Sequence, residues 1–353
     1  MSDGPLRELF RGDALLNGND HFEIPRQVQI AMCTASIARS VELFGQVFGF
    51  GEAMGEILTG EGLARMQQLG TKTACIGWWF VGRQDFLQVE FFQHQLPVQK
   101  PLRADWRPND HGWVRWGFAV PDFDDVLARL SSYGVSTITP PRTFGDGVRR
   151  VALRDPCVGT VLEIMEDGPN VPGGLRPYHF QWKPAVIYST VVVPSVSDAR
   201  AFWTGALGLP EVAPNTVHTE EMEAIWGLAD ARREMMVVQA GDSYIEIVEY
   251  HDPAGRPHPG DYRLCDQGMM NVGLGFRERR SLDALVRRLV AAGYGITTPL
   301  GPDTGTPIGT YTSSRDGTSV EVLTILADYD PYFGFRPRAP SPVKTMLQGI
   351  KTS

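Results

Sequence analysis

The feature that most constrains this chain is that it repeats itself. Leu43-Phe44-Gly45-Gln46-Val47-Phe48-Gly49-Phe50 returns as Phe202-Trp203-Thr204-Gly205-Ala206-Leu207-Gly208-Leu209, an offset of 159 residues from Gly49 to Gly208. Val126-Leu127-Ala128-Arg129-Leu130 with Gly134 returns at the same offset as Leu285-Val286-Arg287-Arg288-Leu289 with Gly293. Thr160-Val161-Leu162-Glu163 matches Thr318-Ser319-Val320-Glu321, and Glu90 matches Glu246. Helices, strands and glutamates that recur at a nearly constant spacing mark a duplication.

Within each copy the pattern divides again. Residues 28–34 alternate as a strand, and 36–48 carry apolar residues at helical spacing up to the stop at Gly49. A Gly-rich connector, a short helical piece over 62–69 and strands over 72–81 and 86–92 complete one β-α-β-β-β unit. A second unit runs through a strand at 113–120, a helix at 123–133 ended by Gly134, and strands near 149–153 and 160–165. The reading is α+β: four βαβββ modules paired into two domains. The expected division is an arm over 1–24, an N-terminal domain over 25–170, a linker over 171–184, a C-terminal domain over 185–327 and a tail over 328–353.

With 353 residues, 42% of them hydrophobic and 21% charged, the chain can bury two cores. A net charge of −8 offers no footprint for nucleic acid or an anionic membrane. The four cysteines, Cys33, Cys75, Cys157 and Cys265, form no CxxC pair, which suits isolated thiols in a reducing compartment. The first residues lack a signal-peptide core and no apolar run reaches membrane length, so a cytoplasmic protein is expected.

One stretch is chemically odd. Residues 311–321 read as a strand, a turn at Arg315-Asp316-Gly317 and a second strand, in which Glu321 stands among Val320, Val322 and Leu323. A buried carboxylate is costly unless paired, bound to a metal or protonated, so Glu321 is either an edge residue or the centre of a site. Tyr311 is a candidate acid or hydrogen-bond donor, or an ordinary strand tyrosine. Asp303, in a Gly/Pro/Thr-rich loop, is a candidate catalyst or a turn residue. No histidines are spaced as HxH or HxxxH; His251, beside the loop 252–256, is kept as a ligand contact.

Four such units, with the Phe202-Trp203…Leu207-Gly208-Leu209 and Arg315-Asp316-Gly317…Glu321 motifs, resemble the vicinal oxygen chelate superfamily, which includes glyoxalase I, bleomycin-resistance proteins and extradiol ring-cleaving dioxygenases. The resemblance covers roughly residues 25–327. It implies paired modules curled into half-open barrels, with divalent-metal ligands on first and last strands. The four-module layout looks like that of the extradiol dioxygenases, whose site lies in the C-terminal domain. Glu321 matches their carboxylate ligand and Tyr311 their tyrosine ten residues earlier, while Asp303 replaces a second-sphere histidine. Tyr188 and Asn271 stand where the two histidine ligands belong, so Glu321 alone of that set remains for a metal. The corners of the N-terminal domain are Gln29, Glu90, Arg115 and Glu163; Gln and Glu suit a glyoxalase-like site, and Arg115 brings positive charge against a metal there.

The resulting expectation is an enzyme acting on a small apolar or aromatic oxygen-bearing metabolite in the C-terminal cavity, by isomerase- or lyase-type proton transfer. Glu321 would be base or ligand, Tyr311 an oxyanion donor, and Tyr188 and Asn271 would position oxygens. A ring-cleaving dioxygenase with unusual ligands and a non-catalytic, resistance-type binding protein are the alternatives. No cofactor is specified; a divalent metal is compatible although the His-His-Glu set is absent. The expected partner is a small-molecule substrate, with a homodimer or higher homo-oligomer compatible, and neither nucleic acid nor membrane.

Overall fold

The computed structural model describes residues 23–173 and 179–337. Most of the expected arm, residues 174–178 of the expected linker and the tail beyond 337 lie outside the described residues.

The first module contains β1 (Arg26–Cys33), α1 (Ile37–Val41, continued by a wider π-type turn over Glu42–Phe48), β2 (Gly51–Thr59), α2 (Glu61–Met66), β3 (Ala74–Val81) and β4 (Gln88–Leu96). The second contains β5 (Gly112–Val120), α3 (Phe123–Ser132), β6 (Arg142–Thr143), β7 (Arg149–Arg154) and β8 (Val161–Glu166). The third contains β9 (Ala185–Val192), α4 (Val196–Arg200, continued over Ala201–Ala206), β10 (Glu211–Val212), a 3₁₀ turn at Glu220–Trp226, β11 (Arg232–Ala240) and β12 (Ser243–Asp252). The fourth contains β13 (Gly268–Phe276), α5 (Arg279–Ala291), β14 (Ile308–Ser313) and β15 (Ser319–Thr324), followed by a 3₁₀ turn at Ala327–Tyr332. No helix among the described residues is long and apolar enough to cross a membrane.

The duplication extends to atomic detail. Ser36 and Ser195, 159 residues apart, both cap the first helix of their module by accepting from Arg39 N and Asp198 N at 3.4 and 3.1 Å. Each such cap contributes about 1 kcal/mol. Gly49 and Gly208 end these helices with φ of +84° and +71°, a conformation that costs a side chain energy and glycine none.

The expected Gly-rich connector over 51–61 is in fact mostly the nine-residue strand β2. Its glycines do not mark a turn. A Cβ on Gly55 would lie 2.3 Å from the Trp78 indole, and one on Gly51 would lie 2.0 Å from that of Trp182. Both make room for indoles rather than bending the backbone.

Pairing between modules also departs from expectation. Modules adjacent in sequence were expected to share a domain; instead, the first shares a sheet with the fourth and the second with the third. One sheet runs β14-β15-β13-β1-β4-β3-β2 and the other β10-β11-β12-β9-β5-β8-β7-β6. The join in the first sheet is the antiparallel pair β1–β13, and in the second β5–β9. Neither sheet closes into a barrel.

Strand alternation gives each sheet two unlike faces. Val89 and Phe91 of β4, Val320 and Val322 of β15, Leu162 and Ile164 of β8, and Ile245 and Ile247 of β12 enter one shared core with α1, α3 and α5. The intervening residues, Glu90, Glu321, Glu163 and Glu246, therefore lie on the opposite faces. All four are 9% exposed or less.

Candidate active site

Because modules pair crosswise, each sheet brings two of these glutamates together. In the first sheet they are Glu90 and Glu321; in the second, Glu246 and Glu163. The sheet registers make the two sets equivalent. Gln29 faces Gly273 as Tyr188 faces Gly117, and Ala31 faces Asn271 as Thr190 faces Arg115. Gly309 lies opposite Leu323 as Arg150 lies opposite Met165.

In the first sheet the pair borders a cavity of about 410 Å³. That volume lies within the range of small-molecule sites. Gln29 Nε2 lies 2.6 Å from Glu90 Oε2 and 3.0 Å from Glu321 Oε2, and Gln88 Nε2 lies 2.9 Å from Gln29 Oε1. Tyr311 is the direct cross-strand partner of Glu321. Trp79, Phe92, Leu58, Leu63 and Met66 form apolar walls, and Tyr332, Phe333 and Phe335 from the segment after β15 close one side.

The electrostatics here are unrelieved. Burial, then repulsion from Glu321, pushes Glu90 well above the ordinary carboxylate range. Burial raises Glu321 to about 7, with the Gln29 amide pulling the other way. Burial and the two carboxylates also push Tyr311 well above 10, so it stays a neutral donor. Such a pair shares protons near neutrality and titrates as a unit.

The amides have a second arrangement with consequences for the site. If Gln88 exchanges its oxygen and nitrogen, the nitrogen donates to Phe333 O at 2.7 Å and Gly334 O at 3.0 Å. Its oxygen then faces Gln29, which must turn to donate to it. The Gln29 carbonyl would then join Glu90 Oε2 and Glu321 Oε2, three oxygens converging with no donor between them. Such a set requires either protons or a cation. All-oxygen donors suit hard divalent ions such as Mg²⁺ or Mn²⁺.

In the second sheet the equivalent space is filled by the protein itself. His218 stands between the glutamates, Nε2 at 2.8 Å from Glu163 Oε2 and Nδ1 at 2.8 Å from Glu246 Oε1. Tyr188 donates to Glu163 Oε2 at 2.5 Å, Arg150 donates to Glu163 Oε1 at 3.1 Å, and Thr190 donates to Glu246 Oε2 at 2.7 Å. Arg115 reaches Glu246 at 3.7 Å and stacks 4.2 Å over the Trp226 ring. Burial disfavours every charge here, but the partners prevail. His218 is raised by Glu246 and Glu163, and Glu246 is lowered to about 2 by His218 and Arg115. With both ring nitrogens 2.8 Å from glutamate oxygens, the His218 imidazole fills the space between the two carboxyls.

Of the expected site residues, Glu321, Tyr311 and Asn271 come together around the first cavity. Asn271 is fully buried and close enough to Tyr311 to favour its ionised form, yet neither of its polar atoms attains hydrogen-bonding geometry. The other three lie elsewhere. Tyr188 belongs to the second sheet, bound to Glu163, because crossed pairing separates β9 from β13 and β15. Asp303 is exposed in a turn, accepting from Gly305 N at 2.9 Å, and does not line the cavity. His251 lies exposed on β12, 3.5 Å from Glu249. The four expected N-terminal corners are likewise divided: Gln29 and Glu90 join Glu321, whereas Arg115 and Glu163 join Glu246 and His218. Gln88 and His218 were not anticipated. Gln88 had a signal, since it precedes Glu90 by one full strand alternation; His218 arises from a segment whose counterpart in the first module, β2 and α2, folds differently.

The profile of the Glyoxalase/Bleomycin resistance protein/Dioxygenase superfamily matches residues 26–164 and 185–322. No curated protein compared with the chain matches it. Among solved structures, a protein from Bacillus subtilis provisionally described as a dioxygenase is similar, with a TM-score of 0.58 at 13% identity over 92% of this chain and 95% of that one. Glyoxalase I from Zea mays gives a TM-score of 0.52 at 14% identity over 85% of this chain and 92% of that one. These likenesses establish a common fold.

Proposed function

The chain belongs to the Glyoxalase/Bleomycin resistance protein/Dioxygenase superfamily, and on that footing we propose that it is an isomerase- or lyase-type enzyme whose proton-transfer site is the Glu90–Glu321 cavity. The observation that carries this reading is a pair of buried carboxyls, both raised, facing a cavity with no cation among its described lining residues. Glu321, raised to about 7, is matched to abstracting a proton at neutral pH, and Glu90, also raised by burial and by Glu321, shares the charge of the pair. Glu321 takes the proton from a carbon beside a carbonyl. The C–H electron pair becomes the C=C bond, and the carbonyl π pair moves onto oxygen. Tyr311, neutral and facing the same cavity, donates to that oxygen. Where the deprotonated carbon carries a hydroxyl, Glu321 returns the proton to the former carbonyl carbon while the hydroxyl proton passes to the former carbonyl oxygen. The hydroxyl oxygen thereby becomes the new carbonyl, and the isomerisation is complete.

Gln29, Glu90 and Glu321 would hold a hard divalent cation, which would polarise the substrate oxygen and so favour loss of the adjacent proton. This oxygen-only set differs from the two imidazoles and one carboxylate that suit ferrous oxygen chemistry, which weighs against ring cleavage.

The test is exchange of the methylene protons of 2-hydroxyacetophenone in D₂O, followed by NMR with and without Mn²⁺. Exchange above the buffer rate, falling roughly 10²–10⁴-fold in Glu321→Gln, is expected. Exchange unaffected by Glu321→Gln removes Glu321 as the base. Binding without exchange for any α-hydroxyketone or diketone tried would favour the non-catalytic binding protein.

A further inference from the structure

The charge of the cavity wall restricts what can enter it. Among the described lining residues none is Lys, Arg or His, and the charged groups are carboxyls. Two positions that hold cations in the second sheet have lost them in the first. Arg115 is replaced by Asn271, and Arg150, which there donates to Glu163, is replaced by Gly309. The glycine also controls space, because a Cβ at 309 would lie 3.1 Å from Glu321 Oε1. Without a bound cation, an anionic group moved from water into this wall meets no cationic side chain among the described lining residues, only carboxyls, amides and a phenol.

The rest of the wall is apolar, and part of it is aromatic. Trp79 meets Phe92 edge-to-face at 6.4 Å. Its indole is held between two glycines: a Cβ on Gly77 would lie 2.4 Å from the ring, and one on Gly334 would lie 2.5 Å from it. The segment carrying Phe333 and Gly334 is anchored by Asp330, fully buried and bound by Arg277 at 2.5 Å. Trp79 and Phe92, with Phe333 at the more exposed edge, give the cavity an aromatic side against which a planar ring can pack.

We infer that the ligand of this cavity is an uncharged aromatic compound whose oxygens are phenolic or ketonic, and that carboxylated or phosphorylated analogues are rejected. This rests on the Glu90–Glu321 cavity being the working site, and it concerns binding alone. The probes are 2-naphthol and 6-hydroxy-2-naphthoate, titrated calorimetrically into the full chain, with Gly309→Arg and Leu58→Arg as variants. Naphthol should bind at least about tenfold more tightly than the naphthoate, a difference of about 1.4 kcal/mol. Gly309→Arg, filling the cavity beside Glu321, should abolish naphthol binding. Leu58→Arg, which supplies a cation on the wall, should narrow the preference several-fold.

Equal or tighter binding of the naphthoate overturns the inference, as does no naphthol binding at its solubility limit. Naphthol binding unchanged in a folded Gly309→Arg protein places the ligand elsewhere and also overturns it. If Gly309→Arg does not fold, the change in preference in Leu58→Arg decides the matter. A failure of the proton-exchange test with this selectivity intact would remove the chemistry while leaving the ligand class standing.

Discussion

The two concave faces of this protein begin from the same pair of glutamates and end in opposite electrostatic states. Around Glu163 and Glu246 the chain supplies His218, Arg150 and Arg115, and both carboxyls are held below their ordinary range. Around Glu90 and Glu321 the equivalent positions hold Asn271 and Gly309, the described group between the carboxyls is the neutral Gln29 amide, and both carboxyls are raised. The difference arises from one segment. Between its first helix and the long strand that follows, the first module forms the full strand β2, leaving the face open. The third module has only the two-residue β10, and the following residues bring His218 and Trp226 into the face. A carboxyl pair held in a cavity by a neutral amide rather than a cation is costly to keep, and such sites are where function is concentrated.

The largest effect expected from testing this comparison is on the second face. His218→Ala leaves two buried carboxylates without their bridging cation and should cost about 3–5 kcal/mol in chemical denaturation, while leaving naphthol binding to the first cavity unchanged. A smaller loss would mean that Arg115 and Arg150 suffice to neutralise the pair. Next, Mn²⁺ should stabilise the wild-type protein by about 2.7 kcal/mol at a hundredfold excess over its Kd, and not the Glu90→Gln variant. The shift should grow as pH rises through about 7, because the ion competes with protons on Glu321.

The glutamates of the two faces should have pH dependences of opposite sign. Glu321 binds its proton more tightly when folded, so its contribution to stability is full below the ordinary value of 4.5 and lost as pH rises through about 7. Glu246 does the reverse: its contribution is present above 4.5 and lost as pH falls through about 2. The contribution of His218 is full below 6.5 and lost as pH rises through its raised value. Glu321→Gln should therefore stabilise the protein at pH 8 by roughly 2 kcal/mol while removing proton exchange. Thermal melts of the variant at pH 5 and pH 8 would reveal the sign. The smallest effects belong to Asp303→Ala and His251→Ala, both exposed, which should each change stability by less than about 0.5 kcal/mol and leave ligand binding untouched.

Much of this was legible in the sequence, for identifiable reasons. The repeat, the capped helices and the glutamate at the end of each module all follow local rules of spacing, and these survive folding. The strand β2 was hidden because Gly51 and Gly55 resemble turn residues unless the indoles that need their space are known. Crossed pairing was hidden more deeply. An offset of 159 residues identifies which modules are alike, but β1 alternates the same way whether it joins β5 or β13. Placing Tyr188 beside Glu321 followed directly from that ambiguity. His218 was illegible for another reason: a histidine in an irregular segment has no periodicity to say which way it points.

The crossed sheet order also has a consequence for synthesis. Gln29 and Glu90 come from the first module and Glu321 from the fourth, whereas the second face needs only the two middle modules. A ribosome that has released residues 112–252 has supplied every strand of the second sheet. The cavity cannot be completed until nearly 70 more residues have emerged, since Glu321 follows Asp252 by 69 positions. Any chain interrupted in that interval would hold a finished second sheet and half a cavity. Competence of the site therefore reports that translation has passed the last strand.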